Sequence, residues 1–331
     1  MEYRTLGNTD LEISRIILGC GNFGGIGSDP RFFGMGEDAD AAFALMDQAA
    51  DLGITVFDTA DAYGGGRSEE TIGRWLAAKG SAVREAILVS SKVGNSLGDP
   101  NDKGGLSAAR IKAQIEGSLR RLRTDRLDMY LMHEPDPDTP VEETLDALTH
   151  LISEGKVRFI GASNISASGL REAWTASERH GLAHFDWVQN NYSLLERDQE
   201  TDALPLCEEH SLGFTPFSPL AGGWLTGKYD SIGRYPPGSR MTLRPEPYGY
   251  LEHEGTLSGL SRLRQAAGQR EIPMTALAMA WVLEHPAVTG IMIGPRQPSH
   301  LEEAVAALGI RLDESERAEL TALFPRYSPL L

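Results

Sequence analysis

Four polar residues close to the ends of apolar, β-branched runs carry side chains that are suited to acid–base chemistry. Asp58 ends the run ITVFD, Lys92 ends AILVSSK and His133 ends LDMYLMH. Tyr63 follows Asp58 by five residues. A tyrosine phenol, with an ordinary pKa of about 10, can protonate an oxygen atom that gains negative charge. A buried lysine would stabilise the phenolate, an aspartate would keep that lysine charged, and a histidine N–H could hydrogen-bond the same oxygen.

Each of these residues also has a purely structural interpretation. An aspartate after a strand often caps a helix, a lone lysine is usually solvated, and a lone histidine is more often a hydrogen-bonded core residue. Because all four residues would meet at one place, a catalytic role is favoured over these structural roles. Because no side chain can donate a hydride, the set would form half of an active site that requires a redox cofactor.

The elements that carry these residues alternate along the chain. Short β-branched runs predict strands at 15–19, 54–58, 86–92, 127–133, 157–163, 185–190, 213–217 and 289–294. Amphipathic segments predict helices at 38–52, 68–79, 107–123, 140–155, 167–181, 202–211, 273–285 and 298–308. Because doubly wound sheets usually have fewer strands, we predict an α/β fold of the (β/α)8 TIM-barrel type. The carboxyl ends of all its strands share one rim, which would bring the four polar residues together.

Three segments lie outside the eight predicted strand–helix units. Residues 2–13 predict an N-terminal hairpin under the barrel, and 219–255 a long loop after the seventh strand, of a length that usually has a function. Residues 313–324 predict an extra C-terminal helix with Asp313 as N-cap and Glu316 as its capping-box partner. No low-complexity linker divides the chain, so we expect residues 1–331 to form a single domain.

Composition and charge exclude several classes of protein. The chain is 41% hydrophobic, and its 31 basic and 47 acidic residues give a net charge of −16, which disfavours nonspecific binding to nucleic acids or anionic membranes. No apolar run reaches the ~18 residues that a membrane-spanning helix requires. Cys20 and Cys207 match neither a disulfide framework nor a CxxC metal pair, and the first residues lack the apolar core of a signal peptide. We therefore expect a cytoplasmic protein, whose oligomeric state the sequence leaves open.

The segment GCGNFG at 19–24 matches the GxGxxG pattern of dinucleotide-binding folds without its context. In that fingerprint a helix begins at the third glycine, and its N-terminus holds the pyrophosphate. Here a Gly-rich stretch without helical periodicity continues as far as Asp38. We interpret the segment instead as a first strand–helix loop whose glycines let a ligand approach the backbone.

Seven motifs, in this order and spacing, resemble those of the aldo-keto reductase superfamily. They are FDTADAYGGGRSEETIG, LVSSKVG, LDMYLMHEPDPDTPVEETLDAL, GKVRFIGASN, VQNNYSLL, FTPFSPLAGGWLTGKY and IGPRQPSHLEEA. The resemblance covers nearly the whole chain and is greatest to a bacterial branch related to the potassium-channel β-subunits. It implies a barrel that binds NADPH or NADP+ and reduces an aldehyde or ketone, with the hydride from nicotinamide C4 and the proton from Tyr63.

The resemblance also implies a role for individual residues. The catalytic tetrad falls on Asp58, Tyr63, Lys92 and His133. The expected cofactor-binding residues are Asp58, Gly21, Asn22, Phe23, Ser163, Asn164, Gln189, Phe217, Ser218, Pro219, Leu220, Gly222, Lys228, Gly294, Arg296, His300 and Glu303. Ser163, Asn164 and Gln189 match the residues that hold the nicotinamide carboxamide. Phe217 stands where the family usually has Tyr or Trp, and His300 replaces its common Gln.

Arg296 is expected to determine whether the protein prefers NADPH or NADH. It follows the Gly-Pro turn after the last predicted strand, where barrel enzymes commonly bind phosphate, and its guanidinium can hold the 2′-phosphate of NADPH. The alternative is a surface ion pair with Glu302 or Glu303, which would not distinguish NADPH from NADH.

The substrate is expected to be a small carbonyl compound, and the sequence leaves its identity open. The residues expected to contact it are Phe23, Tyr63, His133, Glu134 and Trp224. Aromatic loop residues suit an apolar substrate, whereas loop arginines suit a polar one such as a keto sugar. An alternative function is a regulatory subunit that senses redox state through bound cofactor and acts on a protein partner. A metal-dependent hydrolase would need clustered ligands, whereas only His133 of the eight histidines ends a predicted strand.

Overall fold

The computed structural model describes residues 1–99 and 101–326, and an eight-stranded parallel sheet lies at its centre. Two short strands precede the sheet, β1 (Tyr3–Thr5) and β2 (Glu12–Ser14), which pair antiparallel as a hairpin. The sheet contains β3 (Ile16–Gly19), β4 (Val56–Asp58), β5 (Leu88–Val93), β6 (Leu127–Met132), β7 (Val157–Ser163), β8 (Trp187–Gln189), β9 (Gly213–Phe214) and β10 (Ile291–Ile293). From β3 to β9 each strand pairs with the next, and β10 pairs with β3.

Hydrogen bonds between β9 and β10 and their flanking residues close this sheet. The Thr289 amide donates to the Phe214 carbonyl at 2.8 Å, and the Met292 amide donates to the Pro216 carbonyl at 2.9 Å. The sheet is thus a closed cylinder, and the predicted (β/α)8 barrel is confirmed.

Helices surround the barrel because parallel strands need long crossover connections. They are α1 (Ala39–Asp51), α2 (Arg67–Lys79), α3 (Ser81–Ala86), α4 (Ala108–Leu122), α5 (Val141–Ser153), α6 (Ala167–His180), α7 (Ala203–Glu209), α8 (Arg240–Leu243), α9 (Glu254–Gln269), α10 (Met274–Leu283), α11 (Pro298–Ala307) and α12 (Glu314–Thr321). All eight predicted helices are present, with ends that agree to within two residues. In the described part of the chain, no helix combines the length and apolar character needed to cross a membrane.

The long helix α9 was not predicted from the sequence. It contains Gly255, Gly259 and Gly268, and a glycine in a helix costs about 1 kcal/mol relative to alanine. Packing explains one of the three, since a Cβ on Gly259 would lie only 2.3 Å from Cδ1 of Phe324. Tertiary contact with the chain after α12 therefore overrides the weak local preference.

The N-terminal hairpin lies beneath the barrel, as predicted. Leu6, Leu11 and Ile13 are buried in the apolar cluster inside the barrel. Gly7 has a φ of +55°, and a Cβ there would lie 2.7 Å from the Asp186 carbonyl oxygen, next to the start of β8. Glycine therefore allows the hairpin turn to contact the barrel.

The C-terminal helix α12 also agrees with the prediction. Its capping box is complete: the Glu316 amide donates to Asp313 Oδ1 at 2.8 Å, and the Asp313 amide donates to Glu316 Oε2 at 2.9 Å. The helix therefore begins at the residue that its sequence signal indicates.

The strand register sets the height of the polar residues at the rim. Asp58 lies opposite Gly19 and Ser90, and Val93 lies opposite Met132. The segment 219–255 folds back towards this rim, where Glu246 accepts an ion pair from Arg31 of the loop after β3 at 3.5 Å. The carboxyl ends of the strands and two long loops together enclose the candidate site.

Candidate active site

A buried ion pair between Asp58 and Lys92 lies at the centre of the rim. Both side chains are only 1% exposed, and the Lys92 ammonium donates to Asp58 Oδ1 and, at 2.8 Å, to the Thr59 carbonyl. Burial alone would lower the pKa of Lys92, but the Asp58 carboxylate holds that pKa above its ordinary value. The barrel therefore keeps a positive charge on a buried side chain.

Two further side chains fix the Asp58 carboxylate. Ser90 Oγ donates to its Oδ2 at 2.8 Å, and Gln189 Nε2 donates to the same atom at 3.1 Å. Ser90 was not predicted as a site residue. Its position two residues before Lys92 on the same strand was the available signal, because alternate residues of a strand share one face.

Tyr63 lies on the turn after β4, directly above the ion pair. Lys92 Nζ is 5.0 Å from the centre of the Tyr63 ring. Burial raises the pKa of Tyr63 above its ordinary value, and the Lys92 ammonium acts in the opposite direction. The turn needs glycine, since Gly64 and Gly65 have φ values of +60° and +67°, and a Cβ on Gly64 would lie 2.9 Å from the Gly24 carbonyl.

His133 completes the predicted tetrad. Its ring meets the Tyr63 ring edge-on, with 5.4 Å between the centres. Burial, assisted by the charge of Lys92, lowers the pKa of His133 to about 3, so the imidazole is neutral at pH 7. Its Nδ1 is buried and has no hydrogen-bond partner among the described residues. A neutral imidazole can still donate one N–H to a bound oxygen.

The predicted carboxamide-binding residues lie beside the tetrad at the ends of β7 and β8. Ser163 Oγ donates to the Gln189 carbonyl at 2.7 Å, and Asn164 Nδ2 donates to the His133 carbonyl at 2.9 Å. The Asn164 amide also donates to the Gln189 carbonyl at 3.3 Å. These contacts bring all three residues of this predicted group together at one wall of the site.

The chain after β9 forms the adjoining wall. Phe217 is partly exposed and packs against the apolar cluster inside the barrel. Beyond it come Ser218, Pro219, Leu220 and Gly222. Ser218 Oγ lies 2.7 Å from the hydroxyl oxygen of Tyr248, and a Cβ on Gly222 would lie 2.5 Å from the Tyr248 ring. The later part of the segment 219–255 therefore packs against the start of the same segment.

Three cations gather near the start of α11. The Arg296 guanidinium donates to Glu37 Oε1 at 3.0 Å and to the Gly238 carbonyl at 2.7 Å. Partial burial lowers the pKa of Lys228, and the positive charges of Arg296 and Arg240 lower it further. Glu37 is the only carboxylate within ion-pair distance of these three cations in the described residues. Like charges held together in this way favour an anionic ligand.

The remaining adenine-end residues lie close to Arg296 or to the first loop. His300 Nδ1 accepts from the Arg296 amide at 3.2 Å, and Glu303 Oε2 accepts from Thr275 Oγ1 at 2.8 Å. A Cβ on Gly294 would lie 3.8 Å from Asn22 Nδ2. The alternative that Arg296 pairs with Glu302 or Glu303 is wrong, because its partner is Glu37.

Two predicted contacts of the substrate are also wrong. The Trp224 side chain is 0% exposed, and its ring packs at 5.1 Å and 6.0 Å from the ring centres of Tyr229 and Tyr235. Phe23 is 1% exposed and belongs to the large apolar core, so its side chain does not line the site. Glu134 is exposed next to His133.

The arrangement can donate a proton, hold a positive charge and hydrogen-bond an oxygen, but it contains no group that donates a hydride. The surrounding residues fit a nicotinamide dinucleotide. Phe217 offers an aromatic face, Asn164 and Gln189 offer amides, and the cation group offers partners for phosphates.

Comparison with known proteins agrees with this geometry. The sequence model of the "Aldo/keto reductase family" matches residues 15–324. The "Uncharacterized oxidoreductase YrpG" of Bacillus subtilis is 37% identical over 333 residues, which cover 98% of this chain and 96% of that protein. A "Probable voltage-gated potassium channel subunit beta" of Arabidopsis thaliana is 34% identical, covering 94% and 92%. The "Aldo-keto reductase AMT2" of Alternaria alternata is 32% identical, covering 96% and 90%.

Proposed function

Because this chain belongs to the aldo/keto reductase family, we propose that it reduces a small aldehyde or ketone to the alcohol with NADPH. The observation that supports this most directly is the buried Asp58–Lys92 pair beneath Tyr63 and the neutral His133. A bound reduced nicotinamide would supply the hydride.

In this mechanism the protein's own residues stabilise and then neutralise the negative charge that develops on the carbonyl oxygen. His133 donates a hydrogen bond to that oxygen, and Tyr63 gives it a proton as negative charge develops. Lys92 stabilises the phenolate that remains, since an ammonium close to a phenolate favours the ionised form. Asp58 keeps Lys92 charged, and Ser90 and Gln189 keep Asp58 in place.

The choice of NADPH over NADH rests on Lys228, Arg240 and Arg296. In a protein with a net charge of −16, an anionic cofactor needs a local group of cations. The 2′-phosphate distinguishes the two cofactors, and a guanidinium binds a phosphate by charge-assisted, bidentate hydrogen bonds. We place the reaction in the cytoplasm, in accord with Cys20 and Cys207, which are both buried free thiols.

The test is NADPH oxidation measured against a panel of aldehydes, ketones and oxidised sugars, repeated with NADH. We expect turnover of at least one carbonyl class with NADPH. The matched control is Tyr63→Phe, which keeps the ring and removes the proton donor. If every compound fails while the protein binds NADPH tightly, the reductase proposal is contradicted, and a redox-sensing regulatory subunit becomes the better explanation.

A further inference from the structure

Arg244 at the end of α8 lies against the loop that follows β3. Its Nη1 approaches the Ile26 carbonyl at 3.5 Å. A Cβ on Gly27 would lie 2.6 Å from the same nitrogen, so the guanidinium rests directly on the backbone of Gly27. The segment 219–255 thus delivers a cation to the loop that borders the candidate active site.

Gly27 connects Arg244 to the turn that carries Tyr63. The Gly27 carbonyl accepts from the Gly64 amide at 2.9 Å, and the Gly27 amide donates to the Gly21 carbonyl at 2.7 Å. A Cβ on Gly21 would lie 3.5 Å from Cε2 of the Tyr63 ring. Arg244 and Tyr63 are therefore separated by one layer of glycine backbone. Burial raises the pKa of Tyr63, and Arg244 is among the cations that act against it, which agrees with this proximity.

The positive charge of Arg244 has no partner of opposite charge within ion-pair distance in the described residues. The carboxylates of Asp29 and Glu246 lie nearby, but Arg31 binds both of them. Nε of Arg31 donates to Asp29 Oδ2 at 3.0 Å, and Nη2 of Arg31 lies 3.5 Å from Glu246 Oε1. Among the described residues, the one hydrogen bond of the Arg244 guanidinium is the long contact to the Ile26 carbonyl. A partly exposed guanidinium with most of its five N–H groups unused is ready to bind an anion.

Arg244 lies at the edge of the cation group formed by Lys228, Arg240 and Arg296. Burial lowers the pKa of Arg240, one helical turn before Arg244, and the positive charges of Arg244 and Arg296 lower it further. The side chain of Arg244 contacts the loop next to Tyr63, where the carbonyl substrate would enter. A single planar guanidinium matches a carboxylate, which it can bind by two parallel hydrogen bonds.

We propose that Arg244 binds a carboxylate on the carbonyl substrate, so that the preferred substrates are aldehydes or ketones with an acid group. This inference rests on the proposed carbonyl reduction and names its substrate class. It makes the segment 219–255 a determinant of substrate choice in addition to a cover for the cofactor.

The test compares matched pairs of substrates that differ in charge. The pairs are 4-carboxybenzaldehyde with its methyl ester, and 4-oxobutanoate with butanal, each measured with NADPH. We expect wild type to prefer at least one carboxylate over its neutral partner by tenfold or more in kcat/KM. Arg244→Met should reduce that ratio by tenfold or more, as expected when hydrogen bonds to a charged group are lost.

Arg234→Met is the control, because Arg234 lies on the same segment, is exposed, and makes no hydrogen bond or ion pair with the described residues. It removes the same charge and should keep the wild-type preference. Equal use of both members of each pair by wild type would overturn the inference. So would a loss of NADPH affinity in Arg244→Met without a change in the ratio, which would assign Arg244 to the cofactor.

A binding measurement separates this inference from the proposed function. Calorimetric titration of 4-(hydroxymethyl)benzoate into the protein saturated with NADP+ should give binding that Arg244→Met weakens by tenfold or more. If no aldehyde is turned over but this binding is found, the proposed function fails and the carboxylate site stands. If aldehydes are turned over and no such binding or preference is found, the carboxylate site fails and the reductase stands.

Discussion

Replacement of Lys92 by methionine tests the buried ion pair through stability and activity together. Methionine fills a similar volume but leaves the 1% exposed Asp58 carboxylate with Ser90 and Gln189 as its remaining donors among the described residues. Removal of one partner from a buried pair costs about 3–5 kcal/mol, a large part of the roughly 5–15 kcal/mol that stabilises a domain. We therefore expect Lys92→Met to unfold at a clearly lower denaturant concentration and to lose most of its activity at neutral pH.

Urea unfolding of four proteins separates the two effects: wild type, Lys92→Met, Asp58→Asn and the double variant. The double variant leaves no unpaired charge in the barrel, and loss of a whole buried pair is often close to neutral. We expect it to be more stable than Lys92→Met while it remains inactive, because the phenolate of Tyr63 still lacks its ammonium. A Lys92→Met variant as stable as wild type, or a double variant that loses the sum of both single losses, would refute the reasoning.

Three further predictions follow from single residues. Tyr63→Phe should lower kcat by about 10²–10⁴-fold and leave NADPH affinity, measured by fluorescence quenching, nearly unchanged; turnover like that of wild type would exclude Tyr63 as the proton donor. Burial raises the pKa of Asp61 well above its ordinary value, so the fold favours its protonated form and loses stability as pH rises from about 4, the unfolded pKa. Asp61→Asn should therefore raise the melting temperature more at pH 8 than at pH 4, and an equal shift at both would contradict this. Arg296→Ala should weaken NADPH binding by about 10- to 150-fold, as expected for lost hydrogen bonds to a charged group, and leave NADH binding nearly unchanged; parallel losses would place Arg296 away from the 2′-phosphate.

The strand ends of the site were predictable because the barrel imposes their geometry. Parallel strands place their carboxyl ends on one rim, so a sequence that ends three strands with Asp58, Lys92 and His133 fixes where these residues meet. The alternation of side chains along β5 places Ser90 on the same face as Lys92, and this signal could have identified Ser90 in advance.

The loops were less predictable because sequence does not show which face of a loop packs inward. Trp224 lies in the segment 219–255, yet its indole is enclosed by Tyr229 and Tyr235. The Arg296–Glu37 pair joins residues 259 positions apart. Only the three-dimensional path of both loops brings these two charges together, so the sequence offered only the nearby Glu302 and Glu303 as alternative ion-pair partners.

The strands carry the buried ion pair and the segment 219–255 carries a set of cations, so the two can change independently. The buried ion pair of Asp58 and Lys92 lies in the barrel wall, where hydrogen bonds from neighbouring strands and from the Thr59 carbonyl hold it. The cations Lys228, Arg240 and Arg244 all lie on the segment 219–255, whose Arg244 and Glu246 side chains contact the loop after β3. Substitutions in that segment can therefore alter which anion is bound without disturbing the buried ion pair. In the proposed reaction, the segment 219–255 recognises the charge of the substrate and the barrel binds its carbonyl, so substitutions in that segment would change substrate choice and leave the proton donor unchanged.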